Sequence, residues 1–297
     1  MTQTLFPENV APNATKLLVD SKNVAYHAYS WALRAYDGED VQAAYFVCFW
    51  AKIKFAARRC RTTRIAFCWD SDNSKRTALY PAYKAQRKVV DDPERAEMYK
   101  TFDHTRDVVW PALGFKNNYL LDGFEADDII AKLVEQDKDK RVPLVIYSTD
   151  SDLYQLLGNN VYMINARTAS DYGRLRPFTA ASMHEKYGVT PADWPMVKAI
   201  AGCNSDNIPG VRGIGEKIAS AYIRGEAKPM AVARIEASMD TIKETLRLVK
   251  LPFEGTPDLE FVPDALNYDA FMRMSAEIGA ISLSDDGYWK RFFNGEV

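Results

Sequence analysis

The chain has 297 residues, 47% of them hydrophobic and 26% charged, which is the profile of a globular protein large enough to bury a core. Its net charge of -2 gives no global signal for nucleic-acid binding. Four cysteines without a CxxC pair and only three histidines argue against a zinc site and favour a reduced, cytosolic setting. No apolar run approaches the roughly 20 residues that span a bilayer, and the N-terminus lacks the apolar core of a signal peptide. We therefore expect a cytoplasmic protein that does not contact membranes.

Charge is segregated along the chain although the total is close to zero. Residues 52–64 carry six Lys or Arg and no acid, and residues 74–88 carry five more, again without an acid. Acids gather instead at residues 122–152. This pattern indicates a basic surface beside an acidic pocket.

Short apolar segments that end in an acid recur along the chain and predict strands buried on both faces. "KLLVD" ends at Asp20 and "RIAFCWD" at Asp70, with helical spacing of apolar residues at 41–53 between them. A helix is then expected to begin at Asp92, with Pro93 at its first position. Strands alternating with helices favour an α/β fold with a parallel sheet and right-handed crossovers.

The following segments carry most of the acids. "NNYLLDG" predicts a strand, "DDIIAKLVEQ" predicts a helix, and "PLVIYSTDSD" predicts a strand that ends in two acids. Because the working crevice of a parallel sheet lies at the carboxyl ends of its strands, seven acids are expected at one edge. They are Asp20, Asp70, Glu125, Asp127, Asp128, Asp150 and Asp152. Any one of them could be a turn former or a helix cap. Together they would repel one another unless cations were bound, and oxygen ligands suit Mg²⁺ or Mn²⁺.

From about residue 185 the pattern changes to helix, Gly-rich turn and helix, over residues 196–223. Gly210, Gly213 and Gly215 allow a tight turn that exposes backbone N–H groups, and Lys217 follows in the first turn of the next helix. This pattern is typical of a helix–hairpin–helix, which binds one phosphate backbone without contacting bases, although an ordinary interhelical turn would look the same. The remaining tail is expected to be helical, and Trp194, Trp289 and the other aromatic residues of the tail are expected in the core.

These motifs together resemble the flap endonuclease / 5′–3′ exonuclease family, which includes phage 5′-nucleases and the 5′-nuclease domain of bacterial DNA polymerase I. The resemblance covers roughly residues 16–224 and rests on five motifs in the order of the family. They are "LLVDSKNVAYHAY", "FCWDSDNSKRTALYPAYKAQR", "FEADD", "STDSD" and "AGCNSDNIPGVRGIGEK". The second motif contains the Y-K-x-x-R signature of the family.

The resemblance implies a PIN-like parallel sheet flanked by helices, which would form a catalytic nuclease domain over residues 1–185. A helical arch would lie at about residues 84–112. Residues 186–297 would form a helix–three-turn–helix (helix–hairpin–helix) that holds duplex DNA, followed by the helical tail. Because no polymerase domain follows, the chain resembles the stand-alone, phage-type members, which implies a monomer in the cytoplasm of a bacterial or phage-infected cell.

The resemblance also implies roles for individual residues. Two Mg²⁺ or Mn²⁺ ions would be held by Asp20, Asp70, Glu125, Asp127, Asp128 and Asp150, with Asp152 and Asp206 completing the second site. Arg76, Lys84 and Arg87 would be catalytic residues: Arg76 matches an Arg of the family, and Lys84 and Arg87 would supply positive charge to the scissile phosphate. For Lys84 and Arg87, a solvated basic face is the alternative.

Contacts with DNA follow from the same resemblance. Tyr83 would either stack on an unpaired base or lie in the core, and both interpretations stay open. The duplex backbone would be held by Lys198, Gly210, Arg212, Gly213, Gly215 and Lys217. A K⁺ ion would bind in the helix–three-turn–helix.

Cys203 departs from the family motif. Where the family has G-D-x-x-D, this chain has Gly202-Cys203-Asn204-Ser205-Asp206, so the first acid is missing. A neutral thiol is a poor ligand for a hard cation. We therefore expect a weakened second metal site, unless Asn204 or a water replaces the missing acid.

The function implied is a metal-dependent, structure-specific 5′ nuclease that hydrolyses DNA phosphodiesters at 5′ ends or 5′ flaps. Two alternatives remain. A PIN-type ribonuclease would use the same acids on single-stranded RNA but would not need the helix–hairpin–helix. A non-catalytic protein that binds branched DNA would not need the complete set of acids.

Overall fold

Five short parallel strands form the central sheet of the protein. The computed structural model describes residues 10–35, 41–87, 92–137, 142–167, 176–283 and 287–296. The strands are β1 Lys16–Asp20, β2 Ile65–Trp69, β3 Asn118–Leu120, β4 Leu144–Tyr147 and β5 Val161–Ile164. Their order in the sheet is β3-β2-β1-β4-β5, and every neighbouring pair is parallel. Strand β1 therefore lies at the centre of the sheet.

Helices cover the sheet and form the C-terminal part of the chain. In chain order they are α1 Ser21–Ala35, α2 Val41–Cys60, α3 Arg76–Leu79, α4 Pro93–His104, α5 Trp110–Ala112, α6 Ala126–Gln136, α7 Ala180–Tyr187, α8 Trp194–Ala201, α9 Glu216–Ile223, α10 Pro229–Glu236, α11 Met239–Val249, α12 Tyr268–Glu277 and α13 Gly287–Phe293. Single 3₁₀ turns lie at Ala85–Arg87, Ser151–Leu156, Pro191–Asp193, Asn204–Asp206 and Ile281–Leu283, and a π-helical turn, Thr105–Val109, joins α4 to α5.

Two hydrophobic cores lie on opposite faces of the sheet, because successive residues of a strand point to opposite sides. Leu17 and Val19 of β1 belong to the core that also contains Trp289 of α13, together with residues of α1, α2, α4 and α12. Leu18 belongs to the other core, with Trp194 of α8 and residues of α6, α9 and α11. The C-terminal helices therefore complete both cores, and the expected core positions of Trp194 and Trp289 are confirmed.

The strand register brings the acidic segments to one edge of the sheet. Asp20, the last residue of β1, is level with Cys68 of β2, two residues before Asp70. Val19 is level with Tyr147, the last residue of β4, so the segment that leads to Asp150 leaves the sheet at the same edge. Parallel strands end on the same side, which is why acids that are distant in the sequence become neighbours.

The α/β fold with a parallel sheet is confirmed. Asp92 caps α4 as expected, with its side chain accepting hydrogen bonds from the amides of Glu94 and Arg95, and Pro93 is the first helical residue. The apolar pattern at residues 41–53 lies within α2. The sequence analysis did not identify β5 or α1. The four-residue segment of β5 is too short to distinguish from a buried turn of helix by its pattern.

The expected arch at residues 84–112 is helical where the structure describes it, from the turn at Ala85–Arg87 through α4 to α5. Residues 88–91 lie outside the described ranges. The domain boundary at residue 185 falls inside α7 and stays a prediction.

Candidate active site

A cleft of about 630 Å³ opens at the carboxyl edge of the sheet. Seven of the eight predicted acidic ligands line it: Asp20, Asp70, Glu125, Asp127, Asp150, Asp152 and Asp206. Its wall also includes Arg76, Tyr83 and Lys84 from the segment after β2. The predicted metal and phosphate residues are thus brought to one place from distant parts of the chain.

Hydrogen bonds fix the orientation of the acids at the strand ends. Ser148 Oγ, which follows β4, donates to Asp20 Oδ2 at 2.6 Å, and it also accepts a hydrogen bond from the Asp150 amide. Asp70 Oδ1 accepts from the amide of Ala126, the first residue of α6, at 2.9 Å. Ser148 was not among the predicted site residues, although its place in the "STDSD" motif is a signal that could have found it.

Four of the acids form no ion pair with any side chain in the described parts of the protein: Asp20, Asp70, Asp127 and Asp150, called here the unpaired acids. Burial, and then the charge of Asp70, raises the pKa of Asp20 to about 7. Burial and the charge of Asp152 raise the pKa of Asp150 to about 6. Burial also raises the pKa of Asp127 well above its ordinary value, and the charges of Asp150 and Asp20 add to this. The folded protein holds these carboxylates close together against their mutual repulsion.

The unpaired acids offer only oxygen ligands, which is the chemistry that Mg²⁺ and Mn²⁺ prefer. Within the described ranges, no three acidic, His or Cys side chains lie close enough together to form a metal-binding group by themselves. This spacing is compatible with Mg²⁺, which keeps several waters and is usually bound through one or two carboxylates. The donor set therefore fits a hydrated divalent ion.

Asp128 lies in a different environment from the unpaired acids. Its carboxylate forms two hydrogen bonds with Arg76, both 2.7 Å long, and accepts two more from the amides of Glu125 and Phe253. The side chain is fully buried and does not line the cleft. Each oxygen of the Asp128 carboxylate thus accepts two hydrogen bonds from the protein. This geometry favours a structural role for Asp128 over the predicted metal ligation.

Arg76 is likewise buried, whereas the sequence predicted a catalytic role. Its Nε donates to the carbonyl oxygen of Leu248 at 2.8 Å, and its guanidinium lies 4.7 Å from the centre of the Phe253 ring. Because its other nitrogens bind Asp128, Arg76 joins the segment after β2 to α6 and to the C-terminal residues 248–253. This arrangement favours a structural role for Arg76, which would hold these segments together beneath the cleft.

Lys84 is placed at the cleft, where its ammonium contacts Glu125 Oε2 at 2.8 Å. The hydroxyl of Tyr83 donates to the same oxygen at 2.9 Å. Burial alone would raise the pKa of Glu125, but the charges of Lys84 and Arg76 outweigh it and lower that pKa. Tyr83 is only 3% exposed, which favours the core interpretation over base stacking. The side chain of Arg87 lies outside the described residues.

Lys198 is not on the surface where the sequence analysis expected it to contact DNA. It is 6% exposed, and its ammonium lies 2.8 Å from Asp152 Oδ1 and 3.2 Å from Glu216 Oε1. The lysine therefore joins α8 to the turn after β4 and to the start of α9. Its charge is directed at protein acids instead of at a nucleic acid.

The segment predicted as a helix–hairpin–helix consists of α8, a turn region and α9. Gly210 is required by packing, since a Cβ there would lie 2.1 Å from the carbonyl oxygen of Ala201, and Gly213 has a positive φ of 77°. A Cβ at Gly215 would meet nothing within 4 Å. Arg212 and Lys217 are exposed. The turn region thus presents a basic, sterically open surface beside the cleft.

The loop before this turn region contacts the segment that carries Lys84. The Lys84 amide donates to the carbonyl oxygen of Asp206 at 2.8 Å, and Asn207 Nδ2 donates to the carbonyl oxygen of Ala82. Lys84 itself has a positive φ of 52°, an uncommon conformation for a residue with a side chain. These contacts hold Lys84 in that conformation.

The cleft also includes residues that the sequence analysis missed. Lys22, Tyr26, Arg95 and Tyr99 line its outer part, between α1 and α4. Leu248, Val249 and Leu251 line it from the C-terminal side. The position of Lys22 and Tyr26 in the first turns of α1, directly after Asp20, was an available signal, whereas the approach of residues 248–251 depends on the tertiary fold.

The parallel sheet and its helices form an α/β domain. The acidic cleft at the carboxyl edge of the sheet is suited to binding cations, and a basic turn region lies beside it. A family model for the 5′–3′ exonuclease N-terminal, resolvase-like domain matches residues 15–188, which is more than half of the chain. The chain belongs to this family. No helix within the described ranges is both long and apolar enough to cross a membrane.

The chain is similar to part of bacterial DNA polymerase I. Thermostable DNA polymerase I of Thermus thermophilus is 30% identical over 298 residues, which cover 91% of this chain and 34% of that protein. DNA polymerase I of Mycobacterium leprae is 34% identical over 213 residues, which cover 70% of this chain and 22% of that protein. The chain therefore spans about a third or less of the length of these relatives.

Solved structures share the fold. T5 5′-exonuclease with bound zinc ions has a TM-score of 0.64 at 18% identity, covering 94% of this chain and 97% of that chain. Human GEN1 in complex with Holliday junction DNA has a TM-score of 0.54 at 13% identity, covering 89% of this chain and 67% of that chain. The PIN-like architecture expected from the sequence agrees with this likeness.

Proposed function

We propose that the protein is a divalent-metal-dependent 5′ nuclease that hydrolyses phosphodiesters of DNA at 5′ ends or 5′ flaps. The observation that carries this proposal is the group of unpaired acids in the cleft. Four carboxylates that form no ion pair with the described side chains, in a cleft beside an exposed basic turn region, are suited to binding a metal ion and a nucleic-acid backbone together. Membership of the 5′–3′ exonuclease family supports the same reaction class.

Asp20, Asp70, Asp127 and Asp150 would hold the ion directly or through water. A divalent ion bound there lowers the pKa of a bound water and stabilises charge on the phosphate oxygens. Mg²⁺ or Mn²⁺ suits these ligands. Asp128 is excluded from this set, because its oxygens bind Arg76 and two backbone amides.

Lys84 would contribute positive charge to the scissile phosphate, because its ammonium faces the cleft and shares Glu125 with Tyr83. The backbone contacts to residues 206 and 207 would keep Lys84 in place while DNA is bound. Charge that is positioned in advance stabilises the transition state without reorganisation. Arg87 would belong to the same basic segment.

The turn region with Arg212 and Lys217 would bind the phosphate backbone of the duplex, with Gly213 and Gly215 leaving room for close approach. The resemblance to the nuclease family adds a K⁺ ion in this region. We propose that the protein acts as a monomer in the cytoplasm of a bacterial or phage-infected cell, where it would meet such DNA.

The test uses 5′-labelled flap DNA, blunt duplex and single-stranded RNA, each with Mg²⁺ or with EDTA. We expect cleavage of flap or 5′-end DNA with Mg²⁺ and none with EDTA. Preferential cleavage of RNA would favour a PIN-type ribonuclease. Tight binding of branched DNA without cleavage under any metal condition would show a non-catalytic protein instead.

A further inference from the structure

A second group of acids lies beside the unpaired acids, at the place where the family resemblance implied a second metal ion. It consists of Asp152, which follows β4, and Asp206, which lies in the loop before the turn region. The inference developed here rests on the proposed function, because it concerns how many divalent ions the nuclease cleft holds. The residues around this second group do not fit a divalent ion.

A protein cation already occupies the site. The ammonium of Lys198 lies 2.8 Å from Asp152 Oδ1, 3.2 Å from Glu216 Oε1 and 3.4 Å from Ser151 Oγ. The Lys198 and Asp152 side chains are 8% and 14% exposed, so solvent screens their attraction only weakly. Burial alone would lower the pKa of Lys198, but Asp152 and Glu216 raise it above its ordinary value, so the ammonium stays charged.

The ligand that the family motif would supply is also missing. Cys203 stands in its place, with its Sγ 3.1 Å from Ser205 Oγ. Burial, and then the charge of Asp206, raises the pKa of the thiol, so it is neutral at physiological pH. Sulfur in this state is a poor ligand for Mg²⁺, which requires oxygen. At the second group, the thiol of Cys203 therefore replaces a carboxylate. The ammonium of Lys198 is paired with Asp152, which is one of the two carboxylates that remain.

The contrast with the unpaired acids decides where an ion binds. Asp20, Asp70, Asp127 and Asp150 have no ion-pair partner in the described parts of the chain, whereas Asp152 has Lys198. A divalent ion near Asp152 would also have to approach the Lys198 ammonium, and like charges at this range repel. Displacing Lys198 would leave its buried ammonium without Asp152, which is costly.

We infer that this protein binds one divalent ion, at the unpaired acids, and that the Lys198 ammonium occupies the position beside Asp152 where a second ion would otherwise be attracted. Lys198 is then a positioning residue. It neutralises Asp152 and holds α8, α9 and the turn after β4 together without contacting the substrate. The missing acid at position 203 and the ion pair between Lys198 and Asp152 both reduce the attraction of this position for a second divalent ion.

The test counts bound Mn²⁺ ions by the loss of the free-ion electron paramagnetic resonance signal during titration of the DNA-free protein. We expect one ion per wild-type chain. Asp152→Asn should leave the count at one ion and change the Kd of that ion much less than Asp127→Asn, which should raise it by more than about tenfold, because only Asp127 belongs to the set that attracts the ion. The double variant Lys198→Met/Cys203→Asp should bind a second ion.

Lys243→Met, which changes an exposed lysine on α11, is the matched control and should bind one ion. Two ions on the wild-type chain would overturn the inference, and so would a loss of ion count in Asp152→Asn. A folded double variant that still binds one ion would show that Lys198 and Cys203 do not determine how many ions the chain binds. The wild-type and Asp152→Asn titrations decide the question even if the double variant does not fold. A wild-type chain that binds no ion and cleaves no flap DNA would instead refute the proposed function.

Discussion

Asp127 and Asp128 are adjacent in the sequence, yet their surroundings are opposite. Asp127 faces Asp20, Asp70 and Asp150 in the cleft, and their charges and its burial raise its pKa. Asp128, one residue later, points into the protein and binds the Arg76 guanidinium through both oxygens. The carboxylates around Asp127 repel one another unless a cation from outside is bound. The charge of Asp128, in contrast, is already compensated by Arg76.

The same division separates the other acids of the cleft. Glu125 and Asp152 are paired with Lys84 and Lys198, respectively, while the unpaired acids have no such partner in the described ranges. A carboxylate with its own protein cation has little further attraction for a metal. The acidic motif of this chain therefore contains both a carboxylate that is available to a cation and a structural acid, and the location of the basic residues distinguishes them.

The largest effect is expected from Asp127→Asn. Removing one ligand of the ion should lower the cleavage rate by about 10³-fold or more, since metal stabilisation of the transition state is worth several kcal/mol. Affinity for flap DNA, measured by fluorescence anisotropy in Ca²⁺, should change little because backbone contacts supply most of it. In the metal-free protein the same variant should raise Tm, because one of four mutually repelling carboxylates becomes neutral. Near wild-type turnover at saturating Mg²⁺ would remove Asp127 from the ligand set.

Arg76→Met should act mainly on stability. It leaves Asp128 buried without its cation, which costs about 3 kcal/mol or more in the free energy of unfolding. Urea unfolding followed by circular dichroism measures this cost. Arg106→Met removes a guanidinium that pairs with the exposed acids Asp103 and Asp107, and it should cost less than about 1 kcal/mol because those acids stay solvated. Equal effects of the two substitutions would contradict the structural role assigned to the Arg76–Asp128 pair.

Lys84→Ala is expected to lower kcat by about 10²-fold while changing KM much less, because its charge is used chiefly in the transition state. Single-turnover cleavage of flap DNA with saturating enzyme separates the chemical step from binding. Lys75→Ala, in the same basic segment but beside the Phe124 ring, is the matched control. If Lys84→Ala raised only KM, Lys84 would hold the substrate without contributing to the chemical step.

The smallest effect is expected from Lys217→Ala. Loss of one phosphate contact should weaken duplex binding by about tenfold or less and reduce the slope of log Kd against log salt by about 1, with little change in kcat. Lys198→Ala should not show this salt signature, because its ammonium is buried against Asp152 and Glu216. An identical change of slope in both variants would mean that Lys198 reaches the DNA after all.

Sequence alone determined the parallel α/β fold, the acids at one edge of the sheet, the cap of α4 at Asp92 and the helix–turn–helix after residue 194. These features depend on local patterns: apolar runs that end in acids, a Pro at the first helical position, and glycines where the chain turns. Six of the seven acids expected at this edge, all except Asp128, line the cleft for this reason, since parallel strands must end on the same side of their sheet.

Only the tertiary structure determined which charged side chains form ion pairs with one another. Arg76 and Asp128 are 52 residues apart, and Lys198 and Asp152 are 46 apart, so no local pattern shows that they form ion pairs. The sequence placed Arg76 with the catalytic residues and Lys198 with the DNA-binding residues, because both roles followed from the family resemblance of their motifs. Their burial follows from how α3, α6 and α8 pack around the cleft, and it is this packing that leaves Asp20, Asp70, Asp127 and Asp150 without an ion-pair partner among the described side chains.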